Sequence, residues 1–119
     1  MSQALPESAP PAFIHTSGDF AEVVNVYDDV DIATADALWD SIRRAIDAAG
    51  GRPVVVDLTN CKYIDSRGLL QLTKAHRALG SHRFWVVLSP TGFHRRLFDI
   101  TGLFGLINTA MSIDDIPQA

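Results

Sequence analysis

A chain of 119 residues, 47% hydrophobic and 20% charged, has the length and composition of one globular domain, which excludes two-domain, coiled-coil, collagen-like and wholly disordered architectures. Its formal net charge of -4 argues against a dedicated nucleic-acid binder, which needs a basic face to release counterions from phosphates. At this size about two-thirds of the unfolded surface is buried on folding, so the core needs no staple, and the lone Cys61, without an internal partner, fits a reducing, cytoplasmic setting.

Pro6, Pro10 and Pro11, with Ser2, Glu7 and Ser8, predict a mobile arm over residues 1–12 and place the folded domain at 13–119. The arm has neither a basic start nor an apolar stretch, so it does not read as a secretory signal. Phe13 to Thr16 is short and β-rich, Ser17-Gly18-Asp19 reads as a turn, and Ala21 to Tyr27 carries Val23, Val24 and Val26, which together predict a hairpin. Asp28, Asp29 and Asp31 end the second strand. Thr34 then opens a helix with Leu38, Ile42, Ala45, Ile46 and Ala49 at helical spacing, stopped by Gly50-Gly51. The β-branched run from Pro53 to Leu58 predicts a strand at the centre of the sheet.

After a polar loop, Asp65 or Ser66 caps a helix carrying Leu69, Leu70, Leu72, Thr73, His76 and Leu79, closed by Gly80. Phe84 to Leu88 predicts another buried strand and is far shorter than the roughly 20 apolar residues a membrane span requires. Phe93, Leu97 and Ile100 recur at helical spacing before Gly102, a short strand is expected at Leu106 to Thr109, and Ser112 with Asp114 and Asp115 has the form of a helix start. The order β, β, α, β, α, β, α, β predicts an α/β domain whose later strands run parallel. Loops after Tyr27, Leu58 and Leu88 then gather at the carboxyl edge of the sheet, where function usually sits.

Several chemistries are weighed at that edge. Asp28, Asp29, Asp31, Asp57 and Asp65 raise a magnesium-dependent phospho-acceptor site, but the lysine such a site needs after a late strand is missing, since Lys62 and Lys74 lie elsewhere. Turn formation and helix capping are the favoured reading of these aspartates. His15, His76, His82 and His94 have no metal-ligand spacing. Neither a nucleophile elbow nor a phosphate-binding glycine loop occurs, so no cofactor, metal or catalysis is expected. Cys61 reads as a small packing residue.

Two stretches stand apart. Asp28-Asp29-Val30-Asp31-Ile32-Ala33-Thr34-Ala35-Asp36-Ala37-Leu38 is the first; Val54-Val55-Val56-Asp57-Leu58 followed by Tyr63-Ile64-Asp65-Ser66-Arg67-Gly68-Leu69 is the second. In order and spacing they resemble the STAS domain, the sulfate transporter and anti-sigma factor antagonist family: its Gly-Glu-Leu-Asp turn, with Asp28 in place of glycine, and its signature strand, loop and Asp-Ser-Ser/Thr-Gly helix start. Ser89-Pro90 and the run from Leu97 to Leu103 extend the likeness, which covers nearly everything from Phe13 to Ile113.

The resemblance implies a mixed β-sheet backed by α-helices in a single compact domain, and a stand-alone binding module of the anti-sigma factor antagonist type. It implies, as partner, an anti-sigma factor that is itself a serine/threonine kinase, released when the family's Ser/Thr before the glycine is phosphorylated. In this sequence that position is Arg67. A phosphate would bring about -1.5 to -2 charge to the helix start, whereas Arg67 brings a fixed positive one. Ser66 reads either as an N-cap hydroxyl or as an alternative acceptor turned about 100° around the helix from the usual position.

The expected partner-binding residues are Asp31, Tyr63, Asp65, Ser66, Arg67, Gly68, Gln71, Lys74, Arg77 and Ser89, with Arg67, Gln71, Lys74 and Arg77 forming a polar, basic helix face. That face suits an acidic partner, and simple solvation is its bland reading. Arg43, Arg44, Arg95 and Arg96 read as solvated. The alternatives are a STAS subunit or scaffold of a transporter or signalling assembly and, further off, a small-molecule or nucleotide sensor. Direct nucleic-acid binding and membrane insertion are not expected.

Overall fold

A computed structural model describes residues 12–80 and 82–117; the expected N-terminal arm therefore lies outside the described residues except for Ala12. The elements follow the anticipated order: β1 (Phe13–Ser17), β2 (Glu22–Val26), α1 (Ala35–Ala49), β3 (Val54–Asp57), α2 (Ser66–Leu79), β4 (Phe84–Val87), α3 (Phe93–Thr101) and β5 (Asn108–Ala110). They form one five-stranded mixed sheet in the order β1-β2-β3-β4-β5. β1 pairs antiparallel with β2 as a hairpin, and the remaining neighbours are parallel.

Alternation along the strands divides the core. Val54 and Val56 of β3, with Val24, Val26, Phe84 and Val86 of its neighbours, pack beneath Leu38, Ile42 and Ala45 of α1, Leu69, Leu72 and Ala75 of α2 and Phe98 of α3. Val55 and Val87 point the other way, where Ala21 and Ile116 close over them with Phe20, Trp85 and Ile113 alongside. The valine run of β3 is thus buried on both faces, as a central strand requires. Among the described residues no helix is long and apolar enough to cross a membrane.

One local expectation is corrected. The last strand starts at Asn108 instead of Leu106, because Gly102 turns left-handed (φ 76°) and the chain coils once more as a 3-10 turn over Leu103–Gly105. Thr34 opens α1 as expected, standing at its N-cap without a side-chain cap bond, and Asp31 Oδ1 accepts from Ala33 N at 2.9 Å in the turn before it. Of the helical stripe Phe93, Leu97 and Ile100, Leu97 packs against the core. Phe98 is fully enclosed, while Phe93 and Ile100 are 44% and 75% exposed.

Candidate functional site

The parallel strands deliver three loops to one edge. The loop after β2 and the loop after β3 are joined by a single parallel bridge between Val30 and Ile64. Val30 N donates to Tyr63 O at 2.8 Å, and Asp65 N donates to Val30 O at 3.0 Å. The bridge fixes the phase in which the chain enters α2, so Asp65 becomes the N-cap and its Oδ1 accepts from Arg67 N at 2.9 Å and Gly68 N at 3.3 Å. Ser66 is therefore the first helical residue, and its reading as the capping hydroxyl is corrected. Its side chain is exposed.

Gly68 lets this corner close. A Cβ there would stand 2.4 Å from Ile64 Cγ1 and 2.7 Å from Val30 Cγ1, so only glycine allows the first turn of α2 to lie on the bridge. Gly68 is consequently buried packing and not a contact surface. Arg67, one position earlier, is exposed, and its guanidinium has no ion-pair or hydrogen-bond partner among the described residues.

The expected basic face of α2 divides. Gln71 is only 5% exposed; its Nε2 donates to Arg67 O at 3.3 Å and its Oε1 is buried without a partner. Lys74 lies over the Trp39 ring of α1, 4.1 Å from its centroid, where the cation–π attraction and the buried alkyl stem hold it to the seam between the helices. The helix wheel could place these residues together but could not say which side α1 would cover. Arg77 remains exposed on the outward side.

Tyr63 stacks on Phe93 with ring centroids 5.4 Å apart and planes inclined by 28°; each ring is 44% exposed. This pair links the start of α2 to the start of α3. Below it, His94 Nε2 lies 2.6 Å from Cys61 O, tying α3 to the loop after β3. Cys61 donates its thiol to Tyr63 O at 3.3 Å, and burial pushes its pKa up to about 11, so it remains a neutral packing group. Ser89 lines a cleft of about 200 Å³ with Thr59, Lys62, Thr91 and Phe93.

The aspartates at this edge are occupied by the backbone. Asp28 Oδ1 accepts from Asp29 N at 2.7 Å, and Asp57 Oδ1 accepts from Thr59 N at 2.9 Å and Thr59 Oγ1 at 2.7 Å. With Asp31 and Asp65 they build turns and a cap. Among the described residues no group of three or more His, Cys, Asp or Glu side chains is placed to hold a metal ion.

The structure thus brings Tyr63, Asp65, Ser66 and Arg67 to one corner, with Asp31 adjoining through Val30, while Gln71, Lys74 and Gly68 belong to packing seams. Sequence reasoning missed Phe93, Leu70 and Ile32, which are 44%, 50% and 70% exposed. The available signal was an excess of apolar positions: α3 offers Phe93, Leu97, Phe98 and Ile100 in nine residues, more than one face can bury.

The model of the STAS domain family matches residues 14–116. A crystal structure of an anti-sigma factor antagonist from Mycobacterium paratuberculosis is 29% identical with a TM-score of 0.76, and the match covers 87% of this chain and 88% of that one. The fold is shared with the anti-sigma factor antagonist SpoIIAA in its unphosphorylated form, at 16% identity, a TM-score of 0.63 and coverage of 87% and 92%. The Bacillus cell fate determinant SpoIIAA in its phosphorylated form matches at 19% identity and a TM-score of 0.60, covering 88% of this chain and 96% of that one. No curated protein sequence matches the chain. With the two-loop bridge, the Asp65 cap and the Gly68 contact all in place beneath a family match of this length, the chain belongs to the STAS domain family.

Proposed function

We propose that this STAS protein is a non-catalytic, cytoplasmic anti-sigma factor antagonist that binds an anti-sigma factor of serine/threonine-kinase type through the corner formed by Asp31, Tyr63, Ser66 and Arg67. The similarity to the Mycobacterium paratuberculosis antagonist supports the class of partner. The single observation that carries the reading is Arg67: exposed, unpaired among the described residues, and held at the second position of α2 by the Asp65 cap. A side chain there meets whatever covers the helix start.

Arg67 also changes the regulation. The position whose hydroxyl receives phosphate in the family's scheme holds a guanidinium, so the usual release signal has no acceptor. Ser66 points about 100° away around the helix and does not substitute for it. The complex is then governed by abundance or by the partner's own state, with Arg67 supplying a charge-assisted contact to a carboxylate on the partner.

A calorimetric titration of the full chain with a purified kinase-type anti-sigma factor tests this. A stoichiometric complex is expected, weakened about tenfold by Arg67→Ala, the loss typical of a well-placed interface arginine. Absence of any complex, or a complex indifferent to Arg67→Ala, contradicts the reading.

A further inference from the structure

Of the α3 stripe, Leu97 packs against the core, whereas Phe93 and Ile100 stay largely exposed. Phe93 and Ile100 lie seven residues apart, two turns along one side of α3, and are 44% and 75% exposed. Tyr63 continues the stripe by its stack on Phe93, and Leu70, 50% exposed, adds an apolar position on the outward side of α2. Solvation alone does not account for four large apolar side chains left exposed on and beside these two helices.

Charge on these helices is also one-sided. α2 contains no acidic residue between Ser66 and Leu79, and α3 sets Arg95 and Arg96 against Asp99 alone, although the whole chain has a net charge of -4. Arg77 and Arg96 are exposed and form no ion pair among the described residues. Apolar residues in a basic surround, in an acidic protein, call for a ligand that is apolar on one side and acidic at its edges. A phosphate backbone satisfies the charge but leaves Phe93, Leu70 and Ile100 uncovered.

We infer that the outward sides of α2 and α3 take an acidic amphipathic helix of the protein partner, laid along Tyr63, Leu70, Phe93 and Ile100 with its carboxylates toward Arg77 and Arg96. This rests on the proposed antagonist function and extends it from the Arg67 corner to a second contact. Phe93 to Ile100 advances about 10 Å along the helix axis, the length of two turns of a helix packed beside it.

The test is an NMR titration of the isotope-labelled full chain with a synthetic helical peptide bearing leucines on one face and glutamates on its flanks. The amides of Tyr63, Leu70, Phe93, Arg96 and Ile100 are expected to shift, with affinity about tenfold weaker for Ile100→Glu and unchanged for Ile14→Thr on the far face of the sheet. Equal binding of a lysine-flanked or scrambled peptide, shifts mapping elsewhere, or stronger shifts of the same amides by a DNA duplex overturn the inference. So do shifts that grow with protein concentration alone, which would make a second copy the occupant.

The anti-sigma titration is run in parallel on Ile100→Glu. A complex with the anti-sigma factor that is indifferent to Ile100→Glu overturns the second contact and leaves the antagonist function standing. Selective peptide binding at this face without any anti-sigma complex supports the contact and overturns that function.

Discussion

At the amino-terminal end of β2 and β3, charge is enclosed and paired; at the carboxyl-terminal end, Arg67 is exposed and has no ion-pair partner among the described residues. The enclosed carboxylate is Glu22, whose side chain is 1% exposed. Its Oε1 accepts from Ser17 Oγ at 2.6 Å and lies 2.6 Å from His15 Nε2, while Oε2 receives Arg52. Arg52 also donates to the carbonyls of Gly18, Ala48 and Ala49, so one guanidinium joins the hairpin, the end of α1 and the entry to β3. Arg83 repeats the device, reaching Gly50 O at 2.7 Å and Arg52 O at 3.2 Å. Ion pairing at this pole is internal and serves the fold, whereas at the α2 pole donors and apolar surface are left exposed.

Breaking the enclosed pole should give the largest change in stability. Glu22→Ala leaves Arg52 facing a buried void without its carboxylate and should cost about 3 kcal/mol, the low end for a broken buried pair because Arg52 is partly exposed. Urea unfolding of the variant measures it. Burial opposes ionisation of Glu22, but the hydrogen bonds from Ser17, His15 and Arg52 outweigh it, so its carboxyl titrates below the ordinary value of 4.5. Its contribution is therefore full above the unfolded pKa and is lost as pH falls through the lower folded value. Accordingly, the stability difference between wild type and Glu22→Gln should be greatest near neutrality and shrink in acid; a difference that grows on acidification would mean the carboxyl is not held ionised.

The α2 pole should respond less in stability and more in binding. Gly68→Ala forces Ile64 and Val30 aside and should cost about 2 kcal/mol as overpacking, with the amides of the Val30–Ile64 bridge shifting in NMR spectra. Asp65→Ala removes the cap and should cost about 1 kcal/mol, read as a lower urea midpoint. Arg67→Ala should change stability by less than about 0.5 kcal/mol, as for surface positions without partners, and its effect should show only when a partner is present. A stability loss at Arg67 comparable to that at Glu22 would erase the contrast between the poles.

How legible each pole was follows from the range of its contacts. The hairpin, the valine strand and the two long helices were readable because period, β-branching and terminal glycines act within a few residues. Asp65 and Ser66 were equally good caps by chemistry, and the choice was made by the bridge from Val30, a residue 35 positions upstream of the cap. The Glu22 cluster was illegible because its main partner, Arg52, is 30 residues away and a charged residue opening a strand reads as solvent-facing. The corner around Arg67 was found only through the family's motif, whereas the α3 stripe was legible as periodic but not as exposed, since periodicity does not reveal how much of a helix face the domain covers.

The proposed function has Arg67 remove the acceptor by which partner binding would be reversed. Its most direct test is intact-mass measurement of wild type and Arg67→Ser after incubation with the kinase-type anti-sigma factor and ATP, with complex formation followed in the same samples. Wild type is expected to gain no phosphate and stay bound, and Arg67→Ser to gain one phosphate and dissociate. A phosphate on wild-type Ser66 accompanied by release of the partner would contradict it.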